Sequence, residues 1–292
     1  MNELRPSSLD SFVGQKQTVE CLKILINSSQ HLPHLLFEGP PGLGKTSLAY
    51  ALSKDSGVEL QIANGGAVRT IKCLLPYLMK ITENSILFID EIHRMGNLAS
   101  EFLYPVMEDF RVDVGKENDT VTIDLPPFSL IGATTEAGLL ITPLRDRFDQ
   151  KFQLKIYSLS ELVELITNNS STIGVTIDPP ACLSLAKRCR GVPRLANHLL
   201  CWTKRYANSK GVNHIDSTMI DSAMDLIGID QIGLDDNDRK YLQVLRKFNQ
   251  PVGIKTLTSM TNLSTETIEQ VIEPFLLQHR IIRKTPKGRI LV

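Results

Sequence analysis

Eight residues, Gly39-Pro40-Pro41-Gly42-Leu43-Gly44-Lys45-Thr46, follow G-x-x-x-x-G-K-T, the spacing of a phosphate-binding loop. Glycines at these positions let successive backbone N–H groups turn inward toward phosphate oxygens. A helix starting directly behind them adds the positive end of its dipole. Lys45 can reach β- and γ-phosphates, and the Thr46 hydroxyl can ligate Mg²⁺. The motif needs a strand before it and a helix after it. Leu35-Leu36-Phe37 supplies the apolar run, and 46–54 is helix-forming. A glycine-rich turn before a helix is the plainer alternative, and the next pair of residues weighs against it. Asp90-Glu91 closes the apolar run Ser85-Ile86-Leu87-Phe88-Ile89, and the carboxyl ends of such strands are where ligands sit in open α/β sheets. Asp90 is expected to hold Mg²⁺, directly or through water, and Glu91 to polarise an attacking water as general base.

Three further signals are weaker on their own. Thr135 lies just past the strand Ser129-Leu130-Ile131-Gly132-Ala133, where its hydroxyl could sense a γ-phosphate. Arg145 and Arg147 sit on a loop after Pro143-Leu144; they are surface charge, or one is an arginine finger that stabilises transition-state charge in a neighbouring subunit. Arg194, at a helix start, reads alone as a solvated cation. The tail carries Arg280, Arg283, Lys284, Lys287 and Arg289 within ten residues that contain no acid. That is either a solvated basic edge or a surface for nucleic-acid phosphates.

The elements that must position these groups follow from periodicity. Helices are expected at 17–28, 46–54, 70–81 and 98–109, and strands at 58–63, 85–91, 128–133 and 152–156, with a hairpin over 110–124 turning at 115–119. Strands alternating with helices give an α/β domain with a mainly parallel sheet. From Ser158 the pattern is helices only: one opened by Ser160 with Glu164, then 180–189, 193–207 and 216–226. A linker at 228–233 leads to the acidic cap Asp235-Asp236-Asn237-Asp238. Three short helices follow, the third kinked by Pro274, and then a β-like tail over 281–292.

The chain has 292 residues, with 32 Lys plus Arg against 32 Asp plus Glu, so any basic surface is local rather than global. No apolar run has membrane-spanning length and no signal-peptide pattern opens the chain. Five scattered cysteines, Cys21, Cys73, Cys182, Cys189 and Cys201, form no C-x-x-C pair and are expected to be reduced thiols in a cytoplasmic protein.

As a set, these residues resemble the RuvB family, the AAA+ ATPases that drive branch migration of Holliday junctions. The resemblance runs through Arg5-Pro6, Phe12-Val13-Gly14-Gln15, the loop as GPPGLGKT, LFIDEIHR over 87–94, LYPVMEDF over 103–110, DLPPF over 124–128 and IGATT over 131–135. It continues through 137–140 as AGLL, PLRDRF over 143–148, GVPRLAN over 191–197, GLD over 233–235 and TPKGR over 285–289. It implies a large AAA+ P-loop ATPase domain over 1–157, a small all-helical lid over 158–228 and a winged-helix head over 231–292. By motif match, Leu4 and Arg5 flank the adenine end of ATP. Gly39, Gly42, Gly44, Lys45, Thr46 and Ser47 hold the phosphates, and Glu108, Asp109, Phe110 and Tyr157 line the nucleotide. Thr135 matches the first sensor, Arg147 the finger lent to the adjacent subunit and Arg194 the second sensor. Lys284 and Arg289 match positions that contact DNA.

The resemblance further implies a homohexamer on double-stranded DNA and Holliday junctions, with a RuvA-like junction-binding protein and a RuvC-like resolvase as partners and no membrane. The hairpin and the head both depart from the family pattern. The family hairpin that docks RuvA is usually longer, with a Gly-Pro turn; here it shortens to Gly115-Lys116-Glu117-Asn118-Asp119. Thr265 precedes Glu266-Thr267-Ile268-Glu269, where an Arg is frequent. Lys284 replaces a usual Arg and loses its bidentate fork. Two other functions compete: a sliding-clamp-loader subunit, which lacks support from any clustered-cysteine module or Ser-Arg-Cys finger, and a nucleotide-switched binding module, which does not need the Asp90-Glu91 pair.

Overall fold

The structure is a computed structural model, and it describes residues 4–28, 31–116, 119–248 and 250–292. The chain divides into two compact units, Met1–Glu161 with Val192–Arg194, and Leu162–Gly191 with Leu195–Val292.

In the first unit, α1 (Lys16–Ser28) precedes β1 (Leu35–Glu38), α2 (Lys45–Ser56), β2 (Leu60–Asn64), α3 (Ile71–Leu78) and β3 (Ile86–Asp90). Then come α4 (Asn97–Glu108), β4 (Arg111–Lys116), β5 (Asp119–Asp124), β6 (Ser129–Thr134), α5 (Thr142–Asp146) and β7 (Gln150–Gln153). Five strands form a parallel sheet in the order β2-β3-β6-β1-β7. Every residue of β6 is buried, as is β3 up to Asp90. Continuous apolar runs of this kind belong to strands covered on both faces. Leu36, Ile89, Leu103, Phe128 and Phe148 share the core beneath α3 and α4. Register puts Glu38 beside Thr134 and Asn64 beside Asp90, so the carboxyl ends of four strands meet along one edge.

The last strand begins and ends earlier than the 152–156 expected from hydropathy. β7 pairs with β1 residue for residue, from Leu35 with Gln150 to Glu38 with Gln153. Past the bond from Leu154 N–H to Glu38 O, 2.8 Å, β1 has turned away into the loop at Gly39 and offers no further partner. The hairpin pairs β4 with β5 antiparallel from Arg111 with Asp124 to Lys116 with Asp119; Glu117 and Asn118, in its expected turn, lie outside the described residues.

The next helices are α6 (Leu159–Thr172), α7 (Pro179–Arg188), α8 (Pro193–Ser209) and α9 (Ser217–Asp225). The expectation of helices only is corrected here: β8 (Thr176–Ile177) and β9 (His214–Ile215) form a short parallel pair. Two-residue strands leave no period to read. The cap of α6 is also two residues earlier than Ser160, at Ser158 with Glu161 in place of Glu164. The Ser158 N–H and hydroxyl donate to Glu161 Oε2 at 2.7 and 2.8 Å, and Glu161 N–H returns a bond to Ser158 Oγ, a reciprocal capping arrangement.

The remaining elements are α10 (Asp236–Lys247), α11 (Ile254–Thr261), a helical run over 265–278, and the antiparallel hairpin β10 (Ile282–Thr285) and β11 (Gly288–Leu291). Val252 bridges Arg289 at the edge of that hairpin, completing a winged-helix arrangement around Tyr241, Leu257, Ile268 and Leu276. Asp235 and Asp238 form a capping box on α10. Pro274 occupies the second position of the helix Glu273–Gln278, directly after a π-helical turn, Ile268–Ile272. The wider turn leaves Pro without an i−4 partner to break.

Within this second unit, Arg190 ties the helical part to α10. Its Nε donates to Gly233 O at 2.7 Å, its Nη2 pairs with Asp238, and its guanidinium lies 4.8 Å from the Phe275 ring centroid. Gly233, at φ +87°, passes so close that a Cβ there would lie 2.4 Å from Arg188 O. Among the described residues no helix is long and apolar enough to cross a membrane.

Candidate active site

The phosphate loop closes against three other segments, and its glycines are where they touch. A Cβ at Gly39 would lie 2.8 Å from Leu154 O; at Gly42, 2.8 Å from Val192 Cγ1; at Gly44, 3.0 Å from Phe12 Cζ. Gly44 is left-handed at φ +102° and starts α2, a conformation that favours glycine. Lys45 is buried and donates from Nζ to Gly39 O at 2.6 Å and Pro40 O at 3.0 Å. Burial pushes its ammonium below the usual lysine range; Glu91 and Asp90 pull it back up, and Arg194 lowers it. The ammonium thus stands inside the loop where phosphate charge would sit.

Asp90 and Glu91 leave the sheet beside it. Thr46 Oγ1 lies 3.4 Å from Asp90 Oδ2, a hydroxyl and a carboxylate oxygen on adjacent elements. This hard-oxygen pair suits Mg²⁺, which takes oxygen ligands and keeps several waters. Glu91 is left-handed, φ 49° and ψ 49°, a conformation that strains a residue with a Cβ. Two contacts hold it there. Gly65 N–H donates to Asp90 O at 2.7 Å, and a Cβ on Gly65 would lie 2.2 Å from Glu91 O, so only glycine fits. On the other side, Glu91 Oε2 accepts from Thr135 Oγ1 at 2.9 Å and Thr135 N at 3.3 Å. His93 Nδ1 lies 2.9 Å from Thr134 Oγ1 and 3.3 Å from Glu91 Oε2. Gly65 carried no signal in the sequence and His93 entered only within the LFIDEIHR match, because their role is to approach Glu91 through space.

The N-terminal segment and Tyr157 frame the other flank. Arg5 lies over the Tyr50 ring, 4.8 Å from its centroid, and Leu4 is buried. Gln15 Nε2 donates to Lys155 O at 2.6 Å and accepts from Lys155 N–H at 3.0 Å. Tyr157 packs against Gly14, where a Cβ would be 2.6 Å from its Cε1, and burial pushes its hydroxyl well above the usual tyrosine range. Arg194 N–H donates to Gly42 O at 3.2 Å, which brings the start of α8 against the loop. Ser47, half-buried, continues α2 behind Thr46.

Glu108, Asp109, Phe110 and Arg147 form a separate group. Arg147 Nη2 donates to Glu108 Oε2 at 3.3 Å, and Phe110 packs its ring against Phe128 and His34. Asp109 pairs with Arg111 at 3.4 Å. Among the described residues none of these four is bonded to the loop, Asp90, Glu91 or Thr135.

Family models match almost end to end. The Holliday junction DNA helicase RuvB P-loop domain matches residues 4–154, the RuvB AAA lid domain 157–230 and the RuvB C-terminal winged helix domain 231–292. The chain belongs to the RuvB family. A Holliday junction branch migration complex subunit RuvB from Rhodopirellula baltica is 41% identical over 98% of this chain and 81% of its own. That of Paramagnetospirillum magneticum is 40% identical over 99% and 86%. Among solved structures, the Thermotoga maritima RuvB Holliday junction branch migration motor superposes with TM-score 0.87 at 34% identity, over 99% of this chain and 96% of that one.

Lys284 and Arg289, expected from the sequence as DNA contacts, lie in an ion-pair network of the winged head. Glu273 is fully buried and accepts from Arg289 Nε at 2.8 Å and the Tyr241 hydroxyl at 3.0 Å, with Lys284 Nζ at 2.7 Å. Arg289 Nη2 reaches Glu269 at 2.7 Å, and the side chain is only 11% exposed. Arg289 is therefore a strut between wing and helix rather than a free cation. Lys284 is 46% exposed, and Arg280, Arg283 and Lys287 are exposed.

Proposed function

We propose that this chain is an ATP-driven DNA translocase that migrates Holliday junctions, working as a ring whose nucleotide sites are completed by neighbouring subunits. The names of its relatives support the reading. The observation that carries it is Glu91, a strained carboxylate pinned to Thr135 beside Lys45, Thr46 and Asp90. In this reading Lys45 and the loop N–H groups bind the phosphates of ATP. Thr46 and Asp90 hold Mg²⁺, which supplies charge neutralisation at the phosphates. Glu91 takes the proton of the attacking water. Thr135 occupies Oε2 of that carboxylate, leaving Oε1 for the water. Arg194 adds positive charge from the start of α8, and Leu4, Arg5 and Tyr157 enclose the base. Arg147 serves the site of the next subunit.

Domain boundaries near 157 and 230, a homohexamer, and RuvA-like and RuvC-like partners in the cytoplasm belong to the same reading. DNA phosphates meet Arg280, Arg283, Lys284 and Lys287, while Arg289 sets the wing. The experiment is steady-state ATP hydrolysis with and without duplex or four-way-junction DNA, at low and moderate salt, beside Arg147→Ala. DNA stimulation that weakens with salt, and a variant that binds ATP without turning it over, are expected. ATP binding with no effect of DNA on turnover at any salt would refute the motor.

A further inference from the structure

The guanidinium of Arg147 is held by more than its own backbone. Nη1 donates to Pro143 O at 2.8 Å, and Nη2 donates to Glu108 Oε2 at 3.3 Å. Nε, buried from solvent, lies 3.1 Å from Glu108 Oε1, close enough for an ion pair but not aligned for a hydrogen bond. The plane sits over the Tyr104 ring, 4.1 Å from its centroid. Tyr104 and Glu108 are one turn apart on α4, the spacing that places two side chains on one helix face. An arginine has five N–H donors. With one Nη1 proton given to Pro143 O and one Nη2 proton given to Glu108, one proton on each Nη remains for a further acceptor.

We infer that Glu108 and Tyr104 are positioning residues for Arg147, anchoring one edge of its guanidinium so that the other is presented to the nucleotide of a second copy of this chain. The assignment rests on the shared-site reading above and differs from a role for Glu108 at its own subunit's nucleotide. The Glu108 side chain is 56% exposed and that of Arg147 24%. The carboxylate therefore remains solvated and cancels little of the guanidinium's charge. Its effect is orientation, and misplacing a reacting group by about 1 Å can cost on the order of a hundredfold in rate.

Mixed rings separate the two roles. A Lys45→Ala subunit has a dead loop but a working finger, and an Arg147→Ala subunit has the reverse. Their mixture should hydrolyse ATP faster than either alone, with complete sites only where the two meet. Adding Glu108→Gln to the Lys45→Ala donor should lower kcat of the mixture about tenfold or more, with KM for ATP little moved. Tyr104→Leu on the donor should do the same, and Tyr104→Phe, which keeps the π face, should recover most of that loss. If the fall instead follows Glu108→Gln placed on the Arg147→Ala partner, or appears as a rise in KM, Glu108 serves its own nucleotide and the assignment is wrong. If the parent mixture gains no turnover, the shared site itself fails and this assignment with it.

Discussion

Replacing Arg289 by Ala should destabilise the winged head before it says anything about DNA. Glu273 is a fully buried carboxylate whose partners are Arg289, Lys284 and the Tyr241 hydroxyl. Removing one partner of a buried ion pair costs about 3–5 kcal/mol, because the remaining charge is stranded. Here Lys284 still reaches Oε2 and Tyr241 still reaches Oε1, so the lower end, about 3 kcal/mol, is expected. A head of this size shifts by about 4–8 °C per kcal/mol, so its melting transition should fall by about 12–24 °C. Lys284→Ala should cost under about 1 kcal/mol, since that side chain is half-exposed and its pairing is screened. Calorimetry of the full chain reads both. Arg289→Ala with Glu273→Gln should recover part of the loss by removing the stranded charge.

The same network sets a pH dependence. Burial alone would raise the Glu273 carboxyl; hydrogen bonds and charge from Arg289 and Lys284 outweigh it and hold it below the ordinary range. Its stabilisation is therefore complete above the unfolded carboxylate value, about 4.3, and is lost as pH falls through the depressed folded value. The difference between wild type and Arg289→Ala should shrink in that acid window. A variant that melts like wild type at neutral pH, yet loses DNA affinity, would falsify the strut and return Arg289 to the DNA surface.

Three further outcomes follow from the site and the lid. Glu91→Gln should bind ATP normally and lose turnover by at least about a hundredfold, the range of a general base; near-normal turnover would remove Glu91 from that role. Gly65→Ala forces a methyl against Glu91 O, so turnover should fall about tenfold or more, at a stability cost of about 1–3 kcal/mol; ATP affinity, measured by titration calorimetry, should hold. Arg190→Ala strands Asp238, which is only 1% exposed, and should cost about 3 kcal/mol, splitting the melting of the second unit into separate lid and head transitions; a single unshifted transition would contradict it.

The phosphate loop was legible because its chemistry is local. Three glycines, a lysine and a threonine at fixed offsets state both the backbone shape and the ligand. The buried strand ending in Asp90-Glu91 was legible for the same reason, since an unbroken apolar run that stops at two acids has few other readings. The contacts made by Tyr104, Gly65, His93 and Arg190 were not legible, because each matters through a partner far away in sequence or around a helix turn. The edge strand was misplaced because β1, not hydropathy, decides how far β7 can pair. Arg289 showed the limit of charge counting. A tail with no acid looks like a free basic surface until Glu269 and Glu273 arrive from another helix and engage its last arginine.

The two halves of the proposed site are built to different standards. Glu91 is gripped by Gly65 just past β2, by Thr135 just past β6 and by its own left-handed turn. A conformation costing on the order of 1–3 kcal/mol persists only where its surroundings over-determine it. That rigidity fits a base whose water must be aligned. Arg147 is gripped by Tyr104 and Glu108 of α4 and by Pro143, none of which, among the described residues, bonds to the loop. A finger preorganised on one group of residues, and a base preorganised on another, have no reason to be assembled so firmly unless something brings them together. In the proposed reading a second copy of the chain offers its Arg147 to this Glu91, which gives both constraints a single purpose. The same reading predicts that an isolated subunit, with every residue correctly folded, is a poor ATPase.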